Sequence, residues 1–251
     1  MKTLRSYAFF LWLYGQMTIW TICGLPTLIT GGAPMRWVMR NYVRTVLFGL
    51  RWIVGVKVTI RGQDNVPEGP ILVAGKHQAM LDVFLPFIIF KKPVVVMKQE
   101  LLWYPGLGWF ALRAGMIAIK REGTAKTVKK MVALGKTRIA EQGGRQLVIF
   151  PEGTRGKPGE KTTYHPAGLR AFYKALDVPL VPIATNSGLC WQARGITRHA
   201  GHVVYQVLPA IDPGLPYKDM LERVERDLET ASDSLLDEGL AAQGRTRADL
   251  S

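Results

Sequence analysis

Short runs rich in apolar and β-branched residues alternate with helix-like patterns along most of this chain of 251 residues. Helical periodicity separates several runs, notably over residues 81–90, 124–142 and 168–176. Parallel strands need long crossover connections, and helices are the usual crossovers. The alternation therefore predicts an α/β fold with a largely parallel sheet flanked by helices. The runs expected to form strands are residues 53–60, 71–74, 94–97, 116–119, 147–150, 180–184 and 203–208.

The pattern fits one folded domain with an N-terminal appendage. A chain of this length buries a substantial core without disulfides. We expect residues 1–50 to form the appendage, residues 51–240 the domain, and residues 241–251 a flexible tail. Apolar side chains on one helical face over residues 217–240 predict a helix that closes the domain.

The appendage has no charged residue between Arg5 and Arg36. This uncharged stretch, residues 6–35, exceeds the roughly 20 residues that a membrane-spanning helix needs. We therefore expect an N-terminal membrane-embedded helical segment. Glycine and proline interrupt its second half, which leaves open one tilted span or a helical hairpin that enters one leaflet. A helix buried in the core of the domain is the alternative.

A basic helical pattern follows the uncharged stretch. Arg36, Arg40, Arg44 and Arg51 recur at helical spacing among the apolar residues of 37–50. This pattern is typical of an amphipathic helix at an anionic membrane surface. Positive charge on this flank predicts that the protein resides at the inner (cytoplasmic) membrane, with its domain facing the cytoplasm.

The net charge of +14 is concentrated in residues 36–155, which contain 20 Lys and Arg against 7 Asp and Glu. Such a field favours an anionic membrane, an anionic substrate or a nucleic acid. We expect no nucleic acid partner, because the basic residues are scattered among apolar ones and no nucleic-acid motif is present. We also expect no metal site, because Cys23 and Cys190 stand far apart without ligand spacing.

His77 and Asp82 stand where an apolar run leads into a helical pattern. A helix that begins just after His77 places Asp82 about one turn in. The carboxylate then accepts from one imidazole nitrogen and leaves the other as a general base. No Gly-x-Ser-x-Gly motif supplies a nucleophile, so the pair predicts transfer to a hydroxyl that the substrate brings. A helix-entry histidine with a solvated aspartate is the alternative.

A second motif, Phe-Pro-Glu-Gly-Thr-Arg, runs from Phe150 to Arg155 at the end of a predicted strand. Gly153 allows a ligand to approach the backbone, and Arg155 carries a planar fork that matches phosphate oxygens. We expect Glu152 to hold an arginine or to contact a substrate hydroxyl. A polar turn with a surface arginine is the alternative.

Two further cations, Lys98 and Arg121, come directly after predicted strands. Because the carboxyl ends of parallel strands meet at one rim, we expect both cations and Arg155 to reach a single anion near His77. The residues expected to bind substrate are Lys98, Arg121, Glu152, Gly153, Thr154 and Arg155.

These blocks, in this order, resemble those of the glycerophospholipid acyltransferase family over about residues 50–210. The resemblance is specific to bacterial members that acylate 1-acyl-glycerol-3-phosphate. The strongest matches are the His-x4-Asp pair and the intact second motif. The other matching blocks are residues 98–101, 115–121 and 178–183.

The resemblance implies transfer of a fatty acyl group to a free glycerol hydroxyl, giving phosphatidic acid. The co-substrate is acyl-CoA or acyl carrier protein, and no other cofactor is implied. His77 is then the general base, Asp82 orients it, and the three cations clamp the phosphate. Ala118 and Lys120 depart from the family pattern, so another lysolipid acceptor, such as a lyso-ornithine lipid, is an alternative. A non-catalytic protein that binds anionic lipid is the alternative from another class.

Overall fold

A seven-stranded sheet with helices on both faces organises this computed structural model, which describes residues 2–104, 106–120 and 124–250. The strands are β1 (Val56–Arg61), β2 (Ile71–Gly75), β3 (Pro93–Lys98), β4 (Ile117–Ile119), β5 (Gln146–Ile149), β6 (Leu180–Thr185) and β7 (Gly201–Val207). The helices are α1 (Lys2–Gly24), α2 (Thr27–Thr30), α3 (Gly32–Gly49), α4 (Leu81–Phe84), α5 (Pro86–Ile89), α6 (Leu107–Arg113), α7 (Ala125–Ala140), α8 (Pro166–Leu176) and α9 (Tyr217–Ala241).

The sheet is mostly parallel, as predicted. Its strand order is β1-β7-β6-β2-β5-β3-β4. Within the described residues every neighbouring pair is parallel except β6 and β7. The strands β1 and β7 therefore run against the other five, which share one direction and one rim of carboxyl ends.

All seven predicted runs form strands, with ends shifted by at most three residues. The first run begins later than expected, because Leu50–Val54 forms a π-helical turn before β1. The predicted helix over residues 81–90 is split into α4 and α5. The split falls at Pro86, which has no N–H to continue the helical ladder. Helix α6 was not predicted.

The core lies on both faces of the sheet, as the side chains of β2 illustrate. Ile71 and Val73 point to one face and Leu72 and Ala74 to the other, and all four are fully buried. The first face carries the N-terminal helices and α4 to α6, and the second carries α7, α8 and most of the buried side chains of α9. A parallel sheet covered on both faces accounts for the nearly continuous apolar runs of the sequence.

The uncharged N-terminal stretch folds as a hairpin of α1 and α3. Trp12 Nε1 donates to Thr45 O at 2.9 Å, and Trp20 Nε1 donates to Thr45 Oγ1 at 3.1 Å. Phe9 and Leu13 are buried in the core. Within the described residues, none of the helices combines the length and apolarity that a membrane crossing requires. The predicted membrane-embedded segment is therefore not supported, and one side of the hairpin packs into the core.

The arginine series does not lie wholly on a free surface. Arg40 Nε donates to Phe87 O at 3.0 Å, and Arg36 Nη1 donates to Gln142 Oε1 at 2.6 Å. These contacts tie α3 to the rest of the domain, which corrects the prediction that the whole series faces a membrane. Arg44 and Arg51 are exposed.

The end of the chain folds back on α9. Residues Arg247–Leu250 form a 3-10 turn, and Arg247 Nε lies 2.7 Å from Asp237 Oδ1. Leu250 packs against the core. Within the tail expected to be flexible over residues 241–251, Arg247 thus contacts α9 and Leu250 contacts the core.

Candidate active site

His77 and Asp82 meet at the carboxyl end of β2. Asp82 lies in the first turn of α4, and its Oδ2 atom is 3.2 Å from His77 Nδ1. The same oxygen accepts hydrogen bonds of 2.7 Å from the backbone amides of Gln78 and Ala79. The structure therefore brings together the two residues that the sequence pairs, in the arrangement of a histidine oriented by a carboxylate.

The imidazole of His77 also stacks on Phe150, with ring centroids 4.4 Å apart and an interplanar angle of 25°. Phe150 follows β5, the parallel neighbour of β2, so the two motifs meet because their strands end side by side. The side chain of His77 is 12% exposed. Its Nε2 atom has no hydrogen-bond partner in the described part of the chain.

Glu152 lies inside the domain, with no exposed surface. Its Oε1 atom is 3.2 Å from Lys76 Nζ and accepts from the backbone amide of His77 at 3.3 Å. Burial raises the pKa of Glu152, and the charge of Lys76 opposes that rise. The cation that Glu152 holds is thus a lysine rather than the expected arginine. Its burial favours support of the His77 backbone over the expected contact with substrate.

Lys76 connects this pair to the closing helix. It is 4% exposed, and its Nζ atom lies 2.6 Å from Glu229 Oε1 on α9. The hydroxyl of Tyr164 donates to the same oxygen at 2.9 Å. A backbone hydrogen bond of 2.9 Å from Gly156 N to His77 O joins the two motif loops directly. Both loops are therefore fixed from inside the domain.

Two of the predicted phosphate-binding residues face solvent. Lys98 and Arg155 are exposed, and neither forms a side-chain hydrogen bond or ion pair with any described residue. Lys98 ends β3, the parallel neighbour of β5, which precedes Arg155. Gly153 has a φ of 64°, and Thr154 is exposed beside it. Arg121 lies outside the described residues.

Three of the residues around the histidine escaped the sequence analysis. Lys76 stands next to His77 but carries no motif of its own, and Glu229 is one of many acids on α9. Tyr205, in the middle of β7, donates from its hydroxyl to Asp82 Oδ1 at 2.7 Å. A tyrosine in a strand is ordinary, so no sequence signal distinguishes it.

Comparison with known proteins places these features in a family. The family model described as Acyltransferase matches residues 57–186, which is just over half of the chain. The chain is 28% identical over 212 residues to 1-acyl-sn-glycerol-3-phosphate acyltransferase of Pseudomonas aeruginosa, covering 84% of this chain and 81% of that protein. It is 26% identical over 203 residues to 1-acyl-sn-glycerol-3-phosphate acyltransferase beta of Homo sapiens, covering 75% and 71%.

A solved structure shows the same fold. The 1-acyl-sn-glycerophosphate (LPA) acyltransferase PlsC from Thermotoga maritima superposes with a TM-score of 0.75 at 17% identity. The match covers 94% of this chain and 99% of that one. The matched family region contains both the His77–Asp82 pair and the motif that ends at Arg155. On this extent of match, the chain belongs to the acyltransferase family.

Proposed function

We propose that this protein transfers a fatty acyl group from an acyl thioester to the free glycerol hydroxyl of 1-acyl-sn-glycerol-3-phosphate, giving phosphatidic acid for phospholipid biosynthesis. The observation that carries the proposal is the contact of 3.2 Å between His77 Nδ1 and Asp82 Oδ2 at the rim of the sheet. Similarity to enzymes named for this acceptor supports the choice of substrate. A non-catalytic lipid-binding protein needs no such pair.

The geometry supports direct transfer. His77 Nε2 takes the proton of the acceptor hydroxyl while the hydroxyl oxygen attacks the thioester carbonyl. The tetrahedral intermediate then collapses with cleavage of the C–S bond, and the leaving thiolate takes the proton back from the imidazolium. Asp82 stays ionised and stabilises the charged imidazole through Nδ1. The donor is acyl-CoA or acyl carrier protein, used as a co-substrate.

The acceptor phosphate is proposed to bind the exposed cations. Arg155 is suited to this task because it is exposed, has no carboxylate partner among the described residues and follows the strand beside β2. Lys98 stands at the end of the next strand. Arg121 joins them on the sequence pattern alone. Gly153 and Thr154 form the turn that leads to Arg155. The buried side chain of Glu152 anchors the start of this turn inside the domain.

Replacing Arg155 by alanine should raise the KM for the lysolipid about 10-fold to 100-fold and leave kcat nearly unchanged. A phosphate held alike in the ground state and the transition state contributes uniform binding, and a hydrogen bond to a charged group accounts for a change of this size. Steady-state kinetics with the acceptor varied at fixed thioester measure the effect. Arg226→Ala, which removes another exposed arginine from α9, is the control and should change neither parameter. An increase confined to the thioester KM would contradict the assignment.

Membrane attachment is proposed through the outer face of the N-terminal hairpin and α6. Large apolar side chains there are exposed, including Leu11 at 72%, Ile22 at 62% and Ile29 at 84%. Trp103 and Trp109, next to and on α6, extend this surface, and α6 packs against α2. Contiguous exposed apolar surface of this kind marks an interaction site. Attachment at the cytoplasmic face of the inner membrane would give the site access to a lipid acceptor and to a soluble thioester.

The triple variant Leu11→Ser, Ile22→Ser, Ile29→Ser should bind phospholipid vesicles much more weakly than the wild type. Each fully buried aliphatic side chain contributes roughly 1.5–3 kcal/mol, which salt does not screen. Flotation of the protein with anionic vesicles at low and high salt measures binding. Leu215→Ser, which alters an exposed leucine next to α9, should bind as the wild type does. Release of the wild-type protein by salt alone would contradict apolar attachment.

The activity itself is tested by incubating the full chain in detergent with 1-acyl-sn-glycerol-3-phosphate and either acyl-CoA or acyl carrier protein. Separation of the lipids should show phosphatidic acid with at least one donor. A parallel reaction with a lyso-ornithine lipid tests the alternative acceptor that Ala118 and Lys120 raise. Product from the lyso-ornithine lipid alone would replace the proposed acceptor, and the absence of product from both would contradict the proposed function.

A further inference from the structure

A buried contact joins Asp82, inside the region that the family model matches, to Tyr205, which lies beyond that region. Tyr205 is 3% exposed, and its hydroxyl donates to Asp82 Oδ1 at 2.7 Å. The matched region ends at residue 186, so this contact comes from a later strand of the chain. Tyr205 pairs with Thr185 in the antiparallel ladder of β6 and β7. The reversed strand therefore brings a side chain from its middle to the rim where β2 ends.

The two oxygens of Asp82 have different partners. Oδ2 accepts from the backbone amides of Gln78 and Ala79 and faces His77 Nδ1. Oδ1 has one hydrogen-bond partner among the described residues, the hydroxyl of Tyr205. Because the carboxylate is 1% exposed, no bulk water replaces that hydroxyl if it is removed. The phenol therefore acts together with the two amides in setting the rotation of the carboxylate about its Cβ–Cγ bond.

The phenol is suited to act as a permanent donor. Burial and the charge of Asp82 raise the pKa of Tyr205 well above its ordinary value. The hydroxyl therefore keeps its proton throughout the pH range in which a histidine titrates. Among the described residues, Glu152 accepts from the backbone amide of His77 and is paired with Lys76.

We propose that Tyr205 is a positioning residue that fixes Asp82 so that its Oδ2 faces His77, an inference that rests on the proposed function. The hydroxyl also draws negative charge from the carboxylate toward Oδ1. Without it, Asp82 is less well oriented and presents more negative charge to the imidazole. The first effect lowers the rate, and the second favours the protonated form of His77, which is inactive as a base.

Tyr205→Phe, which removes only the hydroxyl, should lower kcat about 10-fold and change the lysolipid KM less than about two-fold, because orientation of the base matters mainly in the transition state. In a plot of kcat against pH, the acid limb should move to higher pH. The matched control is Tyr173→Phe, which also removes a buried hydroxyl that donates, in this case to Asp212 O at 2.7 Å. Both variants should lose stability, and only Tyr205→Phe should change kcat and the pH profile.

A double-mutant cycle tests the route of the effect. In an Asp82→Asn background, Tyr205→Phe should have little further effect on kcat, since the residue acts through the carboxylate. Additive losses would overturn the proposal. An unchanged kcat and pH profile in Tyr205→Phe, with a loss of stability like that of Tyr173→Phe, would also overturn it and leave a purely structural role.

An NMR titration of the His77 imidazole separates this inference from the proposed function, because it needs no turnover. The titration midpoint should be higher in Tyr205→Phe than in the wild type, and unchanged in Tyr173→Phe. If no lysolipid is acylated, the proposed function fails, and a shifted midpoint still shows that Tyr205 acts on the pair. Equal midpoints in an active enzyme would overturn the inference alone.

Discussion

His77→Ala should lower kcat by about 10²–10⁴-fold, because proton removal by a positioned base contributes that much to such reactions. The fold should persist, since the hydrogen bonds that His77 makes to the second motif loop use its backbone. Its amide donates to Glu152 Oε1, and its carbonyl accepts from Gly156 N. Initial rates with both substrates saturating, together with thermal unfolding, measure the two outcomes.

A second histidine supplies the control for this variant. His202 lies on β7 with its Nε2 atom 2.8 Å from Thr59 Oγ1, in the pairing of β7 with the edge strand β1. His202→Ala should therefore retain most of the activity. A rate in His77→Ala close to that of the wild type would refute general base catalysis by this residue, provided that the variant is folded.

Lys76→Met should lower the free energy of unfolding by about 3–5 kcal/mol, which is typical when one partner of a buried ion pair is removed. Lys76 Nζ lies 2.6 Å from Glu229 Oε1 and 3.2 Å from Glu152 Oε1. Without the lysine, the fully buried carboxylate of Glu152 and the carboxylate of Glu229, whose side chain is 20% exposed, both lose their shared cation. Chemical denaturation measured by circular dichroism tests the prediction.

Lys157→Met is the matched control, because it removes a lysine of similar length from an exposed pair. Lys157 Nζ lies 3.0 Å from Glu160 Oε1, and its side chain is 76% exposed. Exposed pairs contribute little to stability, so this variant should unfold as the wild type does. Equal stability of Lys76→Met and the wild type would mean that the buried cluster does not hold the motif loops together.

The effect of Lys76→Met should also depend on pH, with a sign set by Glu152. Burial raises the pKa of Glu152 above its ordinary value of 4.5. At a pH between the pKa of Glu152 in the unfolded state and its higher pKa in the folded state, the folded protein binds more protons than the unfolded protein. The free energy of unfolding therefore falls as the pH rises through this range. Removing Lys76 should raise the pKa of Glu152 in the folded state further, which widens this pH range. The difference between variant and wild type should be smaller at about pH 4 than at about pH 7.

The α/β architecture could be predicted because local sequence patterns indicate each strand and each helix. Each strand of a parallel sheet covered on both faces is a short apolar run, and each crossover helix shows its own periodicity. The reversed direction of β1 and β7 could not be predicted in this way. Strand direction depends on which neighbour a strand pairs with, and the apolar run of 203–208 is compatible with either direction.

The N-terminal segment shows where a local pattern misleads. Its lack of charge fits a lipid bilayer and the face of a sheet equally well, because both are apolar surroundings. Phe9 and Leu13 pack into the core, whereas Leu11 and Ile22 are exposed. Only the position of the sheet decides which stripe of the helix is buried.

The sequence by itself determined the central pair of the candidate site. His77 and Asp82 are close in sequence at a strand-to-helix turn, and such a turn brings them within hydrogen-bond reach whatever surrounds it. The motif that ends at Arg155 was recognisable for the same reason, as a contiguous run beside a strand. Local chain geometry is enough for groups so near each other.

The supports of that pair were decided only by the tertiary structure. Glu152 stands 75 positions from His77, Tyr205 stands 123 from Asp82, and Glu229 stands 153 from Lys76. No local geometry relates residues so far apart, and each contact depends on strand order and on the packing of α9. A carboxylate inside the domain needs such partners, because desolvation makes an unpaired charge costly. These partners come within reach only when the sheet and its covering helices have formed.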